Sequence, residues 1–353
     1  MQFCRACGWL TNIRDAKPDA SKAVLKVRFL PLLQMGYIGE TSKRSMPSLE
    51  RKEFLRAALA LGALPLTGFS HPDPDSGEPT TAPDRFKISL NAYSFNAPLT
   101  NNKTRLEQVI EFCATTGFDA VDLTGYYFPG YPQSPSDEYV FGLKRKAHAL
   151  GVAISGTGIR NDFVQADKTA RLADEALVKK WIETAAKLGA PVIRIFAGKA
   201  LADNTSREAV TDQVASHIQA CVAWGKAHGV IVAIQNHNDF IKTADQAIDL
   251  LKRVNSDWFG LVLDTGSFIT LEPYSEIAKA APFAVNWQVK EKLAYNGQQN
   301  DMDLQRLFKI IQASPYRGYL PIETLSAGDP FLIVPPFLKQ VKAALDAVAK
   351  AAQ

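Results

Sequence analysis

Residues 231–239 pass without transition from a buried-strand signal, Ile231-Val232-Ala233-Ile234, into five polar side chains, Gln235-Asn236-His237-Asn238-Asp239. Such a run is a poor way to build a core and a good way to line a pocket. Amide oxygens and an imidazole can hold a metal ion, hydrogen-bond sugar hydroxyls or carry protons. A strand that simply ends is the plain alternative. Further polar residues interrupt apolar stretches at Asp264, at Gln288-Val289-Lys290-Glu291 and at Glu323. A carboxylate such as Glu323 is a candidate base for abstracting a proton next to a carbonyl. Lys290 either polarises a substrate oxygen or pairs with Glu291 or Glu323. His237 is either a hydroxyl contact and proton shuttle or a structural hydrogen-bonder.

Positioning these residues requires strands of similar kind. From Lys87 onward, short β-branched runs alternate with longer helical patterns. The strand candidates are 88–93, 120–123, 153–156, 192–196, 231–235, 260–263, 284–289 and 318–322. Helical patterns cover 105–115, 138–149, 171–188, 206–228, 244–254 and 303–312. Gly117, Gly151, Gly189 and Gly229 each stand between a helix and the next strand, as helix-ending glycines do. Eight such units predict a (β/α)₈ TIM barrel. An open doubly wound sheet is the alternative, but no GxGxxG follows the first strand. In a barrel the carboxyl ends of the strands face the active-site mouth. Asn91, Tyr93, Ser94, Asp122, Thr157, Arg160, Asn161, Asp162, Arg194 and Ser267 then join the polar residues named above.

Composition fits this picture. The 353 residues are 46% hydrophobic and 22% charged, which is ordinary for a globular chain. Residues 1–56 hold 11 lysines and arginines against 5 acidic residues, whereas the remainder holds 29 against 31. A nearly neutral body argues against a nucleic-acid footprint. Cys113 and Cys221 fall on helical patterns as small core residues, and the Cys4–Cys7 pair lacks the second pair a zinc site needs.

The amino-terminal quarter reads differently. Residues 46–70 combine a charged start, an apolar run from Ala57 to Leu66 and a small-residue end, the shape of an export signal too short to span a bilayer. Arg51-Lys52-Glu53-Phe54-Leu55-Arg56 resembles the twin-arginine motif with Lys52 in the second arginine's place. Residues 1–45 are expected to be an extension upstream of a natural start at Met46, and residues 71–85, rich in proline, a linker. The barrel is expected over 86–353, in an exported, periplasmic protein with no stable membrane insertion after processing. A cytosolic helix before a linker is the alternative for 46–70.

The motifs IQNHNDF, LVLDTG, WQVKEK and GYLPIETL resemble those of the xylose isomerase-like TIM barrels, the sugar phosphate isomerase/epimerase superfamily that includes the AP endonuclease family 2 fold. The resemblance implies a divalent metal on a strand-five Glu, a strand-six Asp, a strand-seven His and a strand-eight Glu. Those places hold Gln235, Asp264, Gln288 and Glu323. An oxygen-rich set of this kind suits Mg²⁺ or Mn²⁺ better than Zn²⁺. Members use the two glutamates as acid/base groups on opposite faces of a sugar, and an amide at 235 removes one of them. The related DNA-repair endonucleases hold zinc on several histidines; here His237 alone lies at the mouth.

The expected function is therefore an isomerase or epimerase of a small sugar. Glu323 is the expected base, with Lys290 and His237 assisting. Tyr93, Arg194, Asn236, Asn238 and Trp287 are expected to contact substrate, with Tyr126, Tyr127 and Phe128 as further stacking surfaces. A lyase or dehydratase on an oxidised sugar and a non-catalytic carbohydrate-binding barrel are the alternatives. An exported protein would meet an unphosphorylated sugar.

Overall fold

The computed structural model describes residues 86–351, apart from 204, 238, 296 and 297. The expected extension, export signal and linker therefore lie outside the described residues, as does Asn238. Eight strands run parallel and close on themselves: β1 (Lys87–Asn91), β2 (Ala120–Thr124), β3 (Ala153–Gly158), β4 (Val192–Ile195), β5 (Ile231–Gln235), β6 (Phe259–Asp264), β7 (Ala284–Lys290) and β10 (Tyr319–Glu323). Around the barrel the order is β1-β10-β7-β6-β5-β4-β3-β2. The predicted TIM barrel is what forms, with strand ends shifted by a residue or two. Between β7 and the last barrel strand, Lys292–Tyr295 (β8) and Gln298–Asp301 (β9) form an antiparallel hairpin that lay outside the expected strands.

Both faces of these strands are covered, which is why they read as apolar runs rather than as alternations. Outward-facing side chains such as Val232, Ile234 and Leu263 join the large core beneath the helices. Inward-facing residues divide into two layers. Val192, Ala233 and Val262 pack together with Ile231 and Val285 as an apolar plug nearer the strand starts. Two residues further along the same strands come Arg194, Gln235 and Asp264. The period of two fixes this: a strand whose first inward residue is apolar delivers its third to the mouth.

The helices are held by ordinary end chemistry. Ser136, Ser206 and Thr243 accept backbone N–H bonds in the first turns of Asp137–Ala149, Arg207–His228 and Ala244–Val254. Gly117, Gly189 and Gly229 end their helices in the left-handed conformation, as predicted. The carboxyl-terminal helix Pro330–Ala351 closes the ring despite Pro335 and Pro336. No described helix is long and apolar enough to cross a membrane. Cys113 and Cys221 are buried free thiols in the core, as expected.

Candidate active site

At the carboxyl ends of β5, β6, β7 and β10, five polar side chains meet below a cavity of about 910 Å³. Glu323 lies at the end of β10 and is wholly buried apart from its place on the cavity floor. One carboxylate oxygen accepts from the Lys290 ammonium and the other from the Gln288 amide. Asp264, the last residue of β6, accepts a 2.7 Å bond from the Gln235 amide, and its same oxygen lies 3.4 Å from Lys290 Nζ. Its other oxygen accepts from the Gly266 backbone N–H at 3.0 Å. Lys290 thus sits between two carboxylates, and both glutamines turn their N–H groups towards the same pair.

Two buried carboxylates against one ammonium leave a negative charge uncompensated, and the protonation behaviour follows. Burial pushes the Glu323 carboxyl above its ordinary value, with Lys290 pulling it down and Asp264 pushing it further up. For Lys290, burial works against the charged form, but Asp264 and Glu323 together outweigh it and hold the ammonium above the ordinary lysine range. Lys290 therefore stays charged, which makes it an electrostatic group and no amine nucleophile.

The resemblance placed a divalent ion on Gln235, Asp264, Gln288 and Glu323, and these residues do not fit one. The amide nitrogens face the carboxylates, and the Lys290 ammonium takes the position between Asp264 and Glu323 that a cation would need. Among the described residues no group of three His, Cys, Asp or Glu side chains could hold a metal.

The other candidates separate by strand parity. Tyr93, Arg194 and His237 line the cavity. His237 is exposed, pairs through Nδ1 with Asp239 Oδ2 at 2.9 Å, and stands edge-on to Phe196. Trp287 corrects the sequence reading. Because Gln288 and Lys290 point inward, their neighbour on β7 points out, where it is buried against Tyr316 and touches no cavity surface. Phe128 is likewise core, packed on Trp181. Asn236 is a second correction. It is fully buried, and its amide trades bonds with the Asp264 backbone: Nδ2 donates to the carbonyl at 2.9 Å and Oδ1 accepts the N–H at 2.8 Å. It fastens Asp264 to β5 and does not face substrate. Glu291 accepts the backbone N–H groups of Leu325 and Ser326, shaping the loop after β10.

Several lining residues carried no signal in the sequence. Phe196, Lys199, Lys292, Gln299 and Ser326 reach the cavity from loops or from the hairpin. Loop residues follow no period, so only their place in the folded chain reveals them.

Beneath the cavity, Asp122 of β2 is buried with Asn286 Nδ2 at 3.5 Å. Burial pushes its carboxyl up to about 6, against the pull of Arg194 and with a further push from Glu323. The unfolded chain titrates this group near 3.9, so between these values the native state binds the extra proton. The stability associated with the neutral form is whole below about pH 4 and is lost as pH rises through 6. Asp122→Asn, which is neutral throughout, should therefore gain about 3 kcal/mol on the wild type between pH 4 and pH 8. Urea unfolding of both proteins across that range measures the difference, and a parallel pair of stability curves would refute it.

The profile of a family described as xylose isomerase-like TIM barrels matches residues 110–350. No curated protein sequence matches the chain. Among solved structures, an L-ribulose 3-epimerase is 17% identical with a TM-score of 0.63, over 76% of this chain and 97% of its own. A 3-keto-D-glucoside 4-epimerase from E. coli is 13% identical with a TM-score of 0.59, over 73% of this chain and 100% of its own. A D-psicose 3-epimerase from Clostridium cellulolyticum H10 is 17% identical with a TM-score of 0.57, over 74% and 98%. At these identities the likeness is one of fold. The profile match spans β2 to β10 and the ends that carry Gln235, Asp264, Lys290 and Glu323, and by it the chain belongs to the xylose isomerase-like TIM barrel family.

Proposed function

We propose that the chain is a carbohydrate isomerase or epimerase in which Glu323 takes a proton from the carbon beside a carbonyl. The observation that carries this reading is the buried Lys290–Glu323 pair on the cavity floor. A carboxylate raised above its ordinary range is a stronger base than an exposed one, and it lies where a substrate would rest. As the C–H bond breaks, its electron pair forms the enediol double bond and negative charge develops on the carbonyl oxygen. The Lys290 ammonium, fixed and permanently charged, stabilises that oxygen. The proton of the neighbouring hydroxyl passes to that oxygen as the new carbonyl forms, and Glu323 returns its own proton to the former carbonyl carbon, which completes an isomerisation.

One base is what this site offers. Gln235 cannot take up a proton, so transfer on one face of the substrate suits the residues better than exchange between two faces. Substrates of the sugar class are supported by neighbours of the same fold whose names are L-ribulose, 3-keto-D-glucoside and D-psicose epimerases. A second reading, elimination from an oxidised sugar, draws on the His237–Asp239 pair. An imidazole held by a carboxylate at the mouth could protonate a departing hydroxyl while Glu323 removes the proton.

Incubation with aldoses, ketoses and keto-sugars in D₂O, followed by NMR, tests both. Deuterium at the carbon beside the carbonyl supports proton abstraction, and a dehydrated product selects elimination. Sugar binding without exchange or product would make this a non-catalytic carbohydrate-binding barrel. Because Lys290 supplies the positive charge, extensive dialysis against a chelator should leave turnover unchanged. Activity that falls and is restored by Mn²⁺ or Mg²⁺ would overturn this role for Lys290.

A further inference from the structure

Across the mouth from the Lys290–Glu323 pair stand two arginines that proton transfer does not use. In the closed strand order, β4 lies four places from β10 and β3 lies four places from β7. Arg194 on β4 therefore faces the Glu323 side of the barrel, and Arg160, just beyond β3, faces the Lys290 side. Both line the cavity.

Their surroundings hold them in place without neutralising them. Arg194 is nine-tenths buried. One guanidinium nitrogen donates to the Ile159 carbonyl and another to the Tyr126 hydroxyl at 3.3 Å. Its carbon lies 4.2 Å from the centre of the Phe196 ring and 5.8 Å from that of Tyr126. Arg160 lies 4.3 Å from the centre of the same Tyr126 ring. Gly158 gives Arg194 its space, since a Cβ there would come within 2.8 Å of Arg194 Nε. Among the described residues, no carboxylate oxygen lies within 4 Å of either guanidinium. Asp162, a lining carboxylate close by in sequence, is engaged by the backbone N–H groups of Val164, Gln165 and Lys199. Asp122 acts on Arg194 only through its field, from beneath the floor.

A buried cation without a paired anion is costly, and a planar fork fixed by aromatic faces is prepared for a flat or tetrahedral oxyanion. We propose that Arg160 and Arg194 anchor an oxyanion, a carboxylate or a phosphate, at the end of the substrate remote from the reacting carbon. The substrate is then an anionic carbohydrate, a sugar acid or a sugar phosphate. The proposal rests on the carbohydrate reading of this cavity, but its test is read by binding and not by turnover. The cavity has room for such a ligand reaching from one wall to the other.

Three probes on one carbon skeleton separate the cases by titration calorimetry on the intact protein: D-glucose, D-glucuronate and D-glucose 6-phosphate. At least one anion should bind about tenfold or more tightly than glucose, since charge-assisted bonds to guanidinium groups are the strong ones. The tighter of the two identifies carboxylate or phosphate as the natural group. Arg160→Gln, at an exposed position, should remove that preference and leave glucose binding as it was. Arg194→Gln should do the same where it folds. An absence of preference for either anion, or an equal loss of glucose and anion binding in Arg160→Gln, overturns the proposal. Glu323→Gln should keep the anion preference while losing deuterium exchange. A failure of the proton-transfer reading is thereby distinguished from a failure of the anion site.

Discussion

Glu323→Gln should lower the rate of deuterium exchange and of turnover by on the order of 10³-fold, the contribution of a positioned base. It should do so without unfolding the barrel. Glutamine preserves the shape of the side chain, and its carbonyl oxygen can accept from Lys290 or from Gln288, one of which must turn aside. The charge balance improves at the same time. Wild-type protein buries two carboxylates around one ammonium, whereas the variant buries Asp264 and Lys290 alone, 3.4 Å apart. Unfolding free energy should therefore stay within about 1 kcal/mol of wild type, the scale of one hydrogen bond gained or lost. Exchange at the wild-type rate would remove Glu323 from the chemistry. Lost exchange in an unfolded variant would be uninformative, so urea unfolding accompanies the kinetics.

Lys290→Met removes the opposite member, and the larger cost falls on stability. Asp264 and Glu323 remain buried and lose the ammonium between them. Breaking a buried pair from one side typically costs about 3–5 kcal/mol, because the charge left behind has no compensation. The sign of the pH dependence follows from the direction already present. The Glu323 carboxyl is raised in the native protein, and losing Lys290 raises it further. Such a group binds its proton more tightly folded than unfolded, so the stability it contributes is whole below the unfolded value and lost as pH climbs through the folded one. The deficit of Lys290→Met should thus be smallest in acid and largest at alkaline pH. Lys290→Met combined with Glu323→Gln should recover a good part of it. A deficit independent of pH would mean that methionine fails by packing alone.

The fold was legible because barrel strands leave a strong trace: β-branched runs at nearly regular spacing, and glycines such as Gly117, Gly189 and Gly229 where helices end. The hairpin went unread although Asn296-Gly297 is the residue pair that a two-residue hairpin turn favours, because Lys292-Leu293-Ala294-Tyr295 follows β7 without a break that sets it apart. The final helix was hidden by Pro335 and Pro336, which stand inside it and whose missing N–H groups argue against a helix in a sequence. At the site, the strand ends named the right neighbourhood, while side-chain direction decided the rest. Trp287 and Asn236 lie among the site residues in sequence, yet one faces the helices and the other holds the backbone of β6. The role of Lys290 needed distances, because a lysine between two acidic positions is spelled in the same way whether it is solvated, paired or placed between them.

The separation of the barrel interior into an apolar plug and a charged layer has a consequence for how such a protein can change over generations. Val192, Ala233 and Val262 close the lower interior through contacts that involve none of the charged groups above. A substitution at 235 or 288 that stays neutral therefore alters the reaction before it threatens the fold, whereas one at 290 must be matched by a change in the carboxylates beside it. Exchanges among neutral polar side chains at these two places become tolerable single steps. The plug is what makes this mouth open to new chemistry.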